Sequence, residues 1–308
     1  MKFVILGDAS CDLSPELRKQ FGTEYIKGHL MLPDGTEIDS VLDWEGGSCE
    51  EFYDALKKNP DGFTTAPASV GELYEIFKKY AAEGMPILHT AMSAMMSGTH
   101  DFACAARKKV LEEYPDAKIY CFDTRKYAAG AGLLTLLAAV KRDEEGMDLE
   151  ETAAYLESVK NLVHQAGWHD DLAFSAKKGR ISNAKAFMGT LVGIKPCGDF
   201  SQEGMTTVLT KIKGERTAFK VLLDYIGETV TDPENQIMLV ASSNRRKPAE
   251  KYMELIKERF HPKAIYYTDI YRTSGTNGGP GIMACYYIGK PLTENLEEER
   301  AIFTRLNG

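Results

Sequence analysis

The sequence predicts an α/β protein in which an N-terminal, mainly parallel sheet with flanking helices is followed by a C-terminal α+β domain. Two observations favour this fold class. In the first half, short apolar runs alternate with amphipathic stretches, which is typical of parallel strands covered by helices on both faces. In the second half, strand-like runs outnumber helical ones. Ligands of such parallel sheets bind beyond the carboxyl ends of the strands.

Three helix starts in the first half carry a capping pattern. A short polar side chain and a Glu three residues later can satisfy the free amides of the first turn. The three pairs are Ser48 and Glu51, Ser69 and Glu72, and Asp148 and Glu151. The apolar runs at 3–6, 86–92 and 118–123 are too short for helices and precede polar turns, so they are predicted strands.

The second half is predicted to form an α+β domain of its own. Its predicted strands are DLAFSA, IKPCGDF, TTVLTKI, QIMLVASS, AIYYTDIYR and IMACYYI. Its predicted helices lie near 183–192, 215–229, 247–259 and 294–306. We place the domains at 1–162 and 163–308, and because VKNLVHQAGWHDD has no Pro- or Ser-rich linker, we expect them to pack tightly.

Composition excludes several function classes. The 308 residues include 37 Lys or Arg and 45 Asp or Glu, giving a net charge of -8, which lacks the basic excess of a nucleic-acid-binding protein. No run approaches the ~20 apolar residues of a membrane span, and the N-terminus turns polar too early for a signal peptide. We therefore expect a cytoplasmic protein with no integral membrane segment. The six cysteines are scattered without a C-x-x-C pattern, which predicts reduced thiols and neither a zinc knuckle nor a redox pair. We predict no cofactor and no bound metal ion.

The richest candidate site is the segment SAMMSGTHDF at 93–102, which follows a predicted strand and precedes a helical pattern. Ser97, Gly98 and Thr99 would then lie at a helix N-terminus, where free amides and the helix dipole favour a bound anion. Neither the P-loop pattern nor the nucleophile-elbow pattern occurs in the chain.

A second candidate is TTAPAS at 64–69, just before another predicted helix. Its hydroxyls would either bind an anion or satisfy a loop. Together the two segments predict one anionic head group contacted by Thr64, Ser93, Ser97, Gly98 and Thr99.

Two glycine-containing motifs allow different interpretations. GDASCDL at 7–13 places Asp8, Ser10 and Asp12 after a strand, either as metal ligands or a nucleophile, or as turn and cap residues. GAG at 130–132 lacks the third glycine of a dinucleotide-binding fingerprint, so it predicts close packing of a helix.

A basic turn and a glycine-rich segment complete the set. KKGRIS at 177–182 reads as a turn between a strand and a helix, and it is either solvated surface or a docking site for an acidic partner. In the docking interpretation, Lys177, Lys178 and Arg180 contact a partner protein and contribute little to ligand binding. GTNGGPG at 275–281 lies between two predicted strands. It is either a simple hairpin or, as its four glycines favour, a loop that approaches a ligand closely or takes positive φ.

An enzyme is the competing function class. Ser97 or Ser93 would attack an ester or acyl group, with His89 or His100 as the base, in a hydrolase or acyltransferase. The sequence contains these candidates but no recognised triad spacing.

Taken in order, the motifs resemble those of the DegV family of bacterial fatty-acid-binding proteins. The similarity covers GDASCDL, NPDGFTTAPAS, the S-x-x-x-SGT loop, DTRKYAAGAG, KKGRIS leading to GIKP, and the closing GGPG. The resemblance implies a non-enzymatic carrier with a long-chain fatty acid sealed between two domains, its carboxylate held by loops of the first domain and a residue of the second. Some members resemble carrier subunits that present the acid to a separate ATP-dependent fatty acid kinase, which forms an acyl-phosphate.

The chain departs from the family pattern at three positions. Ala66 stands where a Gln is common, Asn277 where a His is common, and Gly179 alone where two glycines are usual. The resemblance makes Asn277 and Gly279 the expected fatty-acid contacts from the second domain. Since an amide can donate a hydrogen bond but carries no charge, we expect altered head-group recognition.

A lipid ligand is consistent with simple energetics. Burying ~14 methylenes offers roughly 11 kcal/mol, against roughly 1.5 to 3 kcal/mol for a charge-assisted hydrogen bond to the head group. Met92, Met95, Met96 and Phe102 flank the predicted anion loop. They would either line a tunnel for the acyl chain or form ordinary core.

Overall fold

The computed structural model describes residues 3–187 and 193–308. In chain order, its strands are β1 (Val4–Asp8), β2 (Glu24–Ile26), β3 (Gly28–Met31), β4 (Glu37–Ser40), β5 (Thr64–Ala66), β6 (Ile87–Ala91), β7 (Ile119–Asp123), β8 (Val163–His169), β9 (Ile181–Ser182), β10 (Ile194–Phe200), β11 (Thr206–Lys213), β12 (Ile237–Ser242), β13 (Ala264–Asp269) and β14 (Ile282–Ile288). Its helices are α1 (Pro15–Phe21), α2 (Cys49–Lys58), α3 (Val70–Ala82), α4 (Thr99–Glu113), α5 (Ala129–Asp143), α6 (Leu149–Val159), α7 (Leu172–Lys178), α8 (Ala184–Phe187), α9 (Glu215–Thr229), α10 (Arg246–Phe260), α11 (Arg272–Gly278) and α12 (Glu297–Asn307).

The first sheet is parallel throughout, as predicted. Its strand order is β2-β1-β6-β7. Alternate residues of β6 point to opposite faces, so Ile87 packs with α3 and α4 while Leu88 joins the core that contains α5. The predicted caps are also present: Ser48 caps α2, and Ser69 and Asp148 form complete capping boxes on α3 and α6.

Helix α5 is the central element of the molecule. Its residues from 129 to 139 are all buried, and it contacts β1 and β6 on one side and β12, β14 and β8 on the other. A Cβ at Gly130 would lie 2.8 Å from the Phe200 ring, and one at Gly132 would lie 2.3 Å from the Cys11 carbonyl oxygen. The prediction that these glycines serve close packing is confirmed.

A small antiparallel sheet was not predicted. It has the order β4-β3-β5 and lies in the sequence between β2 and α3. Its strands are short, and several of their side chains are exposed. They therefore lack the apolar runs by which the other strands were recognised.

The second half forms a mixed seven-stranded sheet with the order β13-β12-β14-β8-β10-β11-β9. The prediction of a strand-rich half is confirmed for five of its six segments, which correspond to β10 to β14. DLAFSA is the exception, because the Asp171 side chain accepts a hydrogen bond from the Phe174 amide and starts helix α7, which ends at Gly179 in the left-handed conformation.

Strand β8 occupies the segment that we treated as a domain boundary. All seven of its residues are buried, because β10 and β14 pair with it on either side. It therefore shows no alternation of apolar and polar residues. The division at residue 162 stays a prediction.

Three of the four predicted helices of this half are present as α9, α10 and α12. The helix expected near 183–192 begins as α8, and residues 188–192 lie outside the described residues. No helix within residues 3–187 and 193–308 has the length and apolarity needed to span a membrane. All six cysteines are free thiols.

We expect Gly132→Ala to destabilise the protein by about 1 to 3 kcal/mol, because the new Cβ would press on backbone that cannot move without shifting the loop after β1. The measurement is urea unfolding followed by circular dichroism. Gly71→Ala is the matched control, since a Cβ there meets only the Ser69 hydroxyl, at 3.8 Å. Equal stability of the two variants would show that the approach of α5 to this loop is not a constraint.

Candidate functional site

One cavity, with a volume of about 280 Å³, lies where the parallel strands end and the second half of the chain begins. Its wall contains Asp8 from the end of β1, the segment 97–99 before α4, Thr65 from β5 and Asn277 from α11. Asp8 and the segment 97–99 come together because the parallel strands β1 and β6 end at a common edge of the sheet. Thr65 is added by the antiparallel sheet and Asn277 by helix α11.

The predicted anion loop forms part of this wall. The Ser97 and Thr99 hydroxyl oxygens lie 2.8 Å apart, and Ser97 also accepts a hydrogen bond from the Thr99 amide. Gly98 is the N-cap of α4 and supplies no side-chain cap. The first turn of this 15-residue helix therefore retains amides that a bound anion can accept from.

Asn277 connects the second half of the chain to the threonine segment. Its Nδ2 donates to the Thr65 hydroxyl oxygen at 2.9 Å and to the Thr273 carbonyl oxygen at 3.0 Å. Both amide protons are thus used within the protein. The Thr65 hydroxyl, having accepted this bond, can donate its own proton towards a ligand.

The glycine-rich segment is not the simple loop that we predicted. Residues 272–278 form helix α11, so Asn277 lies on a helix. Gly279 follows with φ of +81°, and a Cβ at this position would lie 2.5 Å from the Phe174 ring. Gly279 is therefore required for the turn out of α11, and it does not line the cavity.

Two other predicted contacts lie outside the cavity wall. Ser93 is fully buried, but its hydroxyl faces the turn at Gly204, where an added Cβ would come within 2.2 Å of it. Thr64 is exposed, while its neighbour Thr65 lines the cavity. No local signal separates the two threonines, because Ala66, on the same strand face as Thr64, also lines the cavity.

The GDASCDL segment holds the strand ends together. Asp8 accepts hydrogen bonds from the Ser10 amide and hydroxyl and from the Met92 amide, while Asp12 accepts one from the Tyr271 amide. Burial raises the pKa of both carboxyls. Among the residues that the structure describes, no group of three or more metal-ligating side chains is found.

The three basic residues of KKGRIS have different surroundings. The turn follows a helix, not a strand, and leads into β9. Lys177 forms an exposed ion pair with Asp61, and the Lys178 ammonium donates to the Phe63 carbonyl oxygen. Arg180 lies in the cavity wall, a position that the docking interpretation did not include.

The apolar part of the wall includes Ile26, Leu73, Met92 and Met96. Met95 and Phe102, by contrast, are exposed by 63% and 39% and do not line the cavity. Flexible thioethers adapt easily to an alkyl chain.

Two histidines that line the cavity are buried and neutral. Burial lowers the pKa of His89 to about 3 and that of His169 to about 4. The His169 Nδ1 lies 3.0 Å from the Ser175 hydroxyl oxygen, which donates to the Gly278 carbonyl oxygen. The sequence analysis did not place His169 in the cavity wall, because nothing in the neighbouring sequence marks it as a site residue.

The geometry does not assemble a nucleophile with a base. The Ser97 hydroxyl is paired with Thr99, and the His100 Nε2 lies 3.6 Å from the Cys104 sulfur. Neither ring nitrogen of His89 has a hydrogen-bond partner among the described residues. The hydrogen bond from a serine hydroxyl to a histidine that would activate the serine is therefore not formed between the serines and histidines named above.

Comparison with known proteins gives a consistent result. A family model described as "Uncharacterised protein, DegV family" matches residues 2–290. A DegV domain-containing protein of Clostridium perfringens is 31% identical over 290 residues, covering 94% of this chain and 98% of that protein. A DegV domain-containing protein of Lactococcus lactis is 31% identical over 302 residues, covering 96% of this chain and 100% of that protein.

Solved structures share the fold at lower identity. A DegV lipid binding protein from Thermotoga maritima superposes with a TM-score of 0.82 at 19% identity, covering 94% of this chain and 99% of that one. A fatty-acid-binding DegV family protein from Thermus thermophilus gives a TM-score of 0.81 at 23% identity, covering 94% and 100%. A Ruminococcus gnavus DegV family protein refined with vaccenic acid gives 0.80 at 22%, covering 92% and 99%. Because the family model matches residues 2–290 of the 308 residues, the chain belongs to the DegV family.

Proposed function

We propose that this protein binds one long-chain fatty acid in the cavity and presents its carboxylate to a separate ATP-dependent kinase. The observation that carries the proposal is a single cavity that joins an uncapped helix N-terminus at Gly98 to an apolar wall around Leu73. A structural neighbour from Eubacterium ventriosum is described as a stearic acid-binding protein, and a DegV family protein from Eubacterium eligens as loaded with heptadecanoic acid. These descriptions support the same ligand class here.

The carboxylate would accept hydrogen bonds at the polar wall. Its partners are the first amides of α4, the hydroxyls of Ser97 and Thr99, and the Thr65 hydroxyl. Asn277 acts through Thr65, because both of its amide protons are already engaged. This differs from the sequence-based expectation that the Asn277 amide itself meets the ligand.

The acyl chain would lie against the apolar wall and contribute most of the affinity, at ~0.8 kcal/mol per buried methylene. The cavity volume of about 280 Å³ is close to the lower limit of ~300 Å³ that is usual for ligand pockets. It fits a slender alkyl chain better than a bulky ligand.

Presentation to a kinase requires an accessible surface near the head group. Lys177 is 61% exposed and pairs only with Asp61 among the described residues. Arg180 is exposed as a residue yet contributes to the cavity wall. We propose that Lys177 contacts the partner and that Arg180 adds positive potential beside the carboxylate.

Native mass spectrometry of protein purified from a bacterial host tests the binding proposal. We expect one additional mass equal to that of a long-chain fatty acid, because burial of the alkyl chain makes dissociation slow. Denaturing spectra of the same sample serve as the control and should show the chain mass alone. A ligand-free native spectrum, together with no binding of added palmitate, would refute the proposal.

Thr65→Val should weaken fatty-acid binding by about 10-fold or more, because it removes a charge-assisted hydrogen bond while keeping the shape of the side chain. Thr64→Val is the matched control and should bind like the natural protein, since Thr64 lies outside the cavity wall. Titration with a fluorescent fatty acid measures both. A loss confined to Thr64→Val would favour the original sequence-based assignment.

Arg180→Ala should lower fatty-acid affinity about two- to fivefold, the effect of a solvent-screened charge. Lys177→Ala should leave affinity unchanged and lower the rate of acyl-phosphate formation with a cognate kinase. The two variants therefore separate binding from docking. Unchanged fatty-acid affinity in Arg180→Ala would contradict a binding role for Arg180 and favour the docking interpretation of this residue.

A further inference from the structure

His89 is a polar group in an apolar part of the cavity wall. It lies in the middle of β6, where its neighbours in register are Leu6 of β1 and Cys121 of β7. Its side chain points to the same face of the sheet as Ile87 and packs edge-on against Phe77, with 5.7 Å between the ring centroids. Leu73 and Ile26 line the cavity beside it.

The imidazole is completely buried, and neither of its ring nitrogens has a hydrogen-bond partner among the described residues. Burial keeps the ring neutral by lowering its pKa to about 3. A neutral imidazole has one N–H donor and one bare nitrogen acceptor. Burial removes both ring nitrogens from water, and no protein group that the structure describes replaces the lost hydrogen bonds, which lowers the stability of the folded protein.

An aliphatic side chain at position 89 would fill the same space without burying unpaired ring nitrogens. Ile87 and Ala91, on the same face of β6, are apolar. The cost at His89 is offset only when something in the cavity supplies a partner. An unsubstituted alkyl chain cannot do so, because it has neither a donor nor an acceptor.

We propose that His89 recognises an oxygen function carried on the acyl chain, so that the preferred ligands of this protein are hydroxy or oxo long-chain fatty acids. The inference rests on the proposed function, since it assumes that an acyl chain occupies the cavity. A hydroxyl can donate to the bare ring nitrogen or accept from the N–H, and a keto oxygen can accept from the N–H. Either group satisfies a ring nitrogen that an unsubstituted chain leaves unpaired.

The site also explains how such ligands would be separated from ordinary fatty acids. The carboxylate is common to both and binds at the polar wall around Ser97 and Thr99. The oxygen on the chain is the distinguishing group, and its own desolvation is compensated only beside His89. Discrimination by a buried hydrogen bond is larger than discrimination by size, because the wrong ligand leaves a polar group unpaired.

The test compares stearate with a series of hydroxystearates whose hydroxyl lies at successive mid-chain positions. Isothermal titration of delipidated protein should show at least one isomer binding about tenfold tighter than stearate, the effect of one well-placed buried hydrogen bond. In His89→Leu the ratio of the hydroxystearate affinity to the stearate affinity should fall to one or below, whatever happens to the affinity for stearate itself. His89→Gln, which keeps a donor and an acceptor, should retain part of the preference.

His100→Leu is the matched control, because His100 lies outside the cavity wall, and it should preserve the preference. If stearate binds but no hydroxystearate binds more tightly, or if His89→Leu keeps the preference, the inference is wrong, while the proposed function stands. If neither acid binds, the proposed function itself fails.

Discussion

The burial of α5 between the two larger sheets is the constraint on which the rest of the structure depends. Its glycines let the helix approach the loop after β1 on one side and the Phe200 ring on the other. At Gly132 the backbone of α5 lies so close to the backbone at Cys11 that the helix cannot shift along this loop. The edge of the parallel sheet is thereby fixed against the second sheet, and the cavity is the space that this arrangement leaves open.

The chemical character of the cavity follows from what each part supplies. Helix α4, which follows β6 of the parallel sheet, directs its N-terminal amides and the positive end of its dipole at the cavity, and both favour an anion. The face of the same sheet that packs on α3 supplies Ile26, and α3 itself supplies Leu73. The second half supplies α11, whose Asn277 orients Thr65 across the gap. An amphiphile with a small anionic head satisfies all three surfaces at once.

Local signals were sufficient for much of the fold. Capping residues such as Ser69 and Asp148, and short apolar runs such as 86–92, identified helices and strands because their signals lie within a few residues. Strand β8 was not recognised, and helix α7 was predicted as a strand, each for a physical reason. Strand β8 is buried on both faces, so its sequence shows no alternation of apolar and polar residues. Helix α7 begins at the N-cap Asp171, but the short apolar run that follows resembles a strand.

The candidate site was predictable in part. The loop at 97–99 carries a local signature, and the structure places it in the cavity wall. The distinction between Thr64 and Thr65, and the position of Arg180, depend on how distant segments face one another. The burial of His89 without partners is likewise a tertiary property. Residue types and spacing alone do not encode such facts.

The most direct test of the central claim is a crystal structure of the protein with palmitate. We expect the carboxylate within hydrogen-bond distance of the Thr65 hydroxyl and the first amides of α4, with the alkyl chain running along Met92 towards Leu73. A carboxylate located at the apolar wall, or a fatty acid bound outside this cavity, would contradict the account.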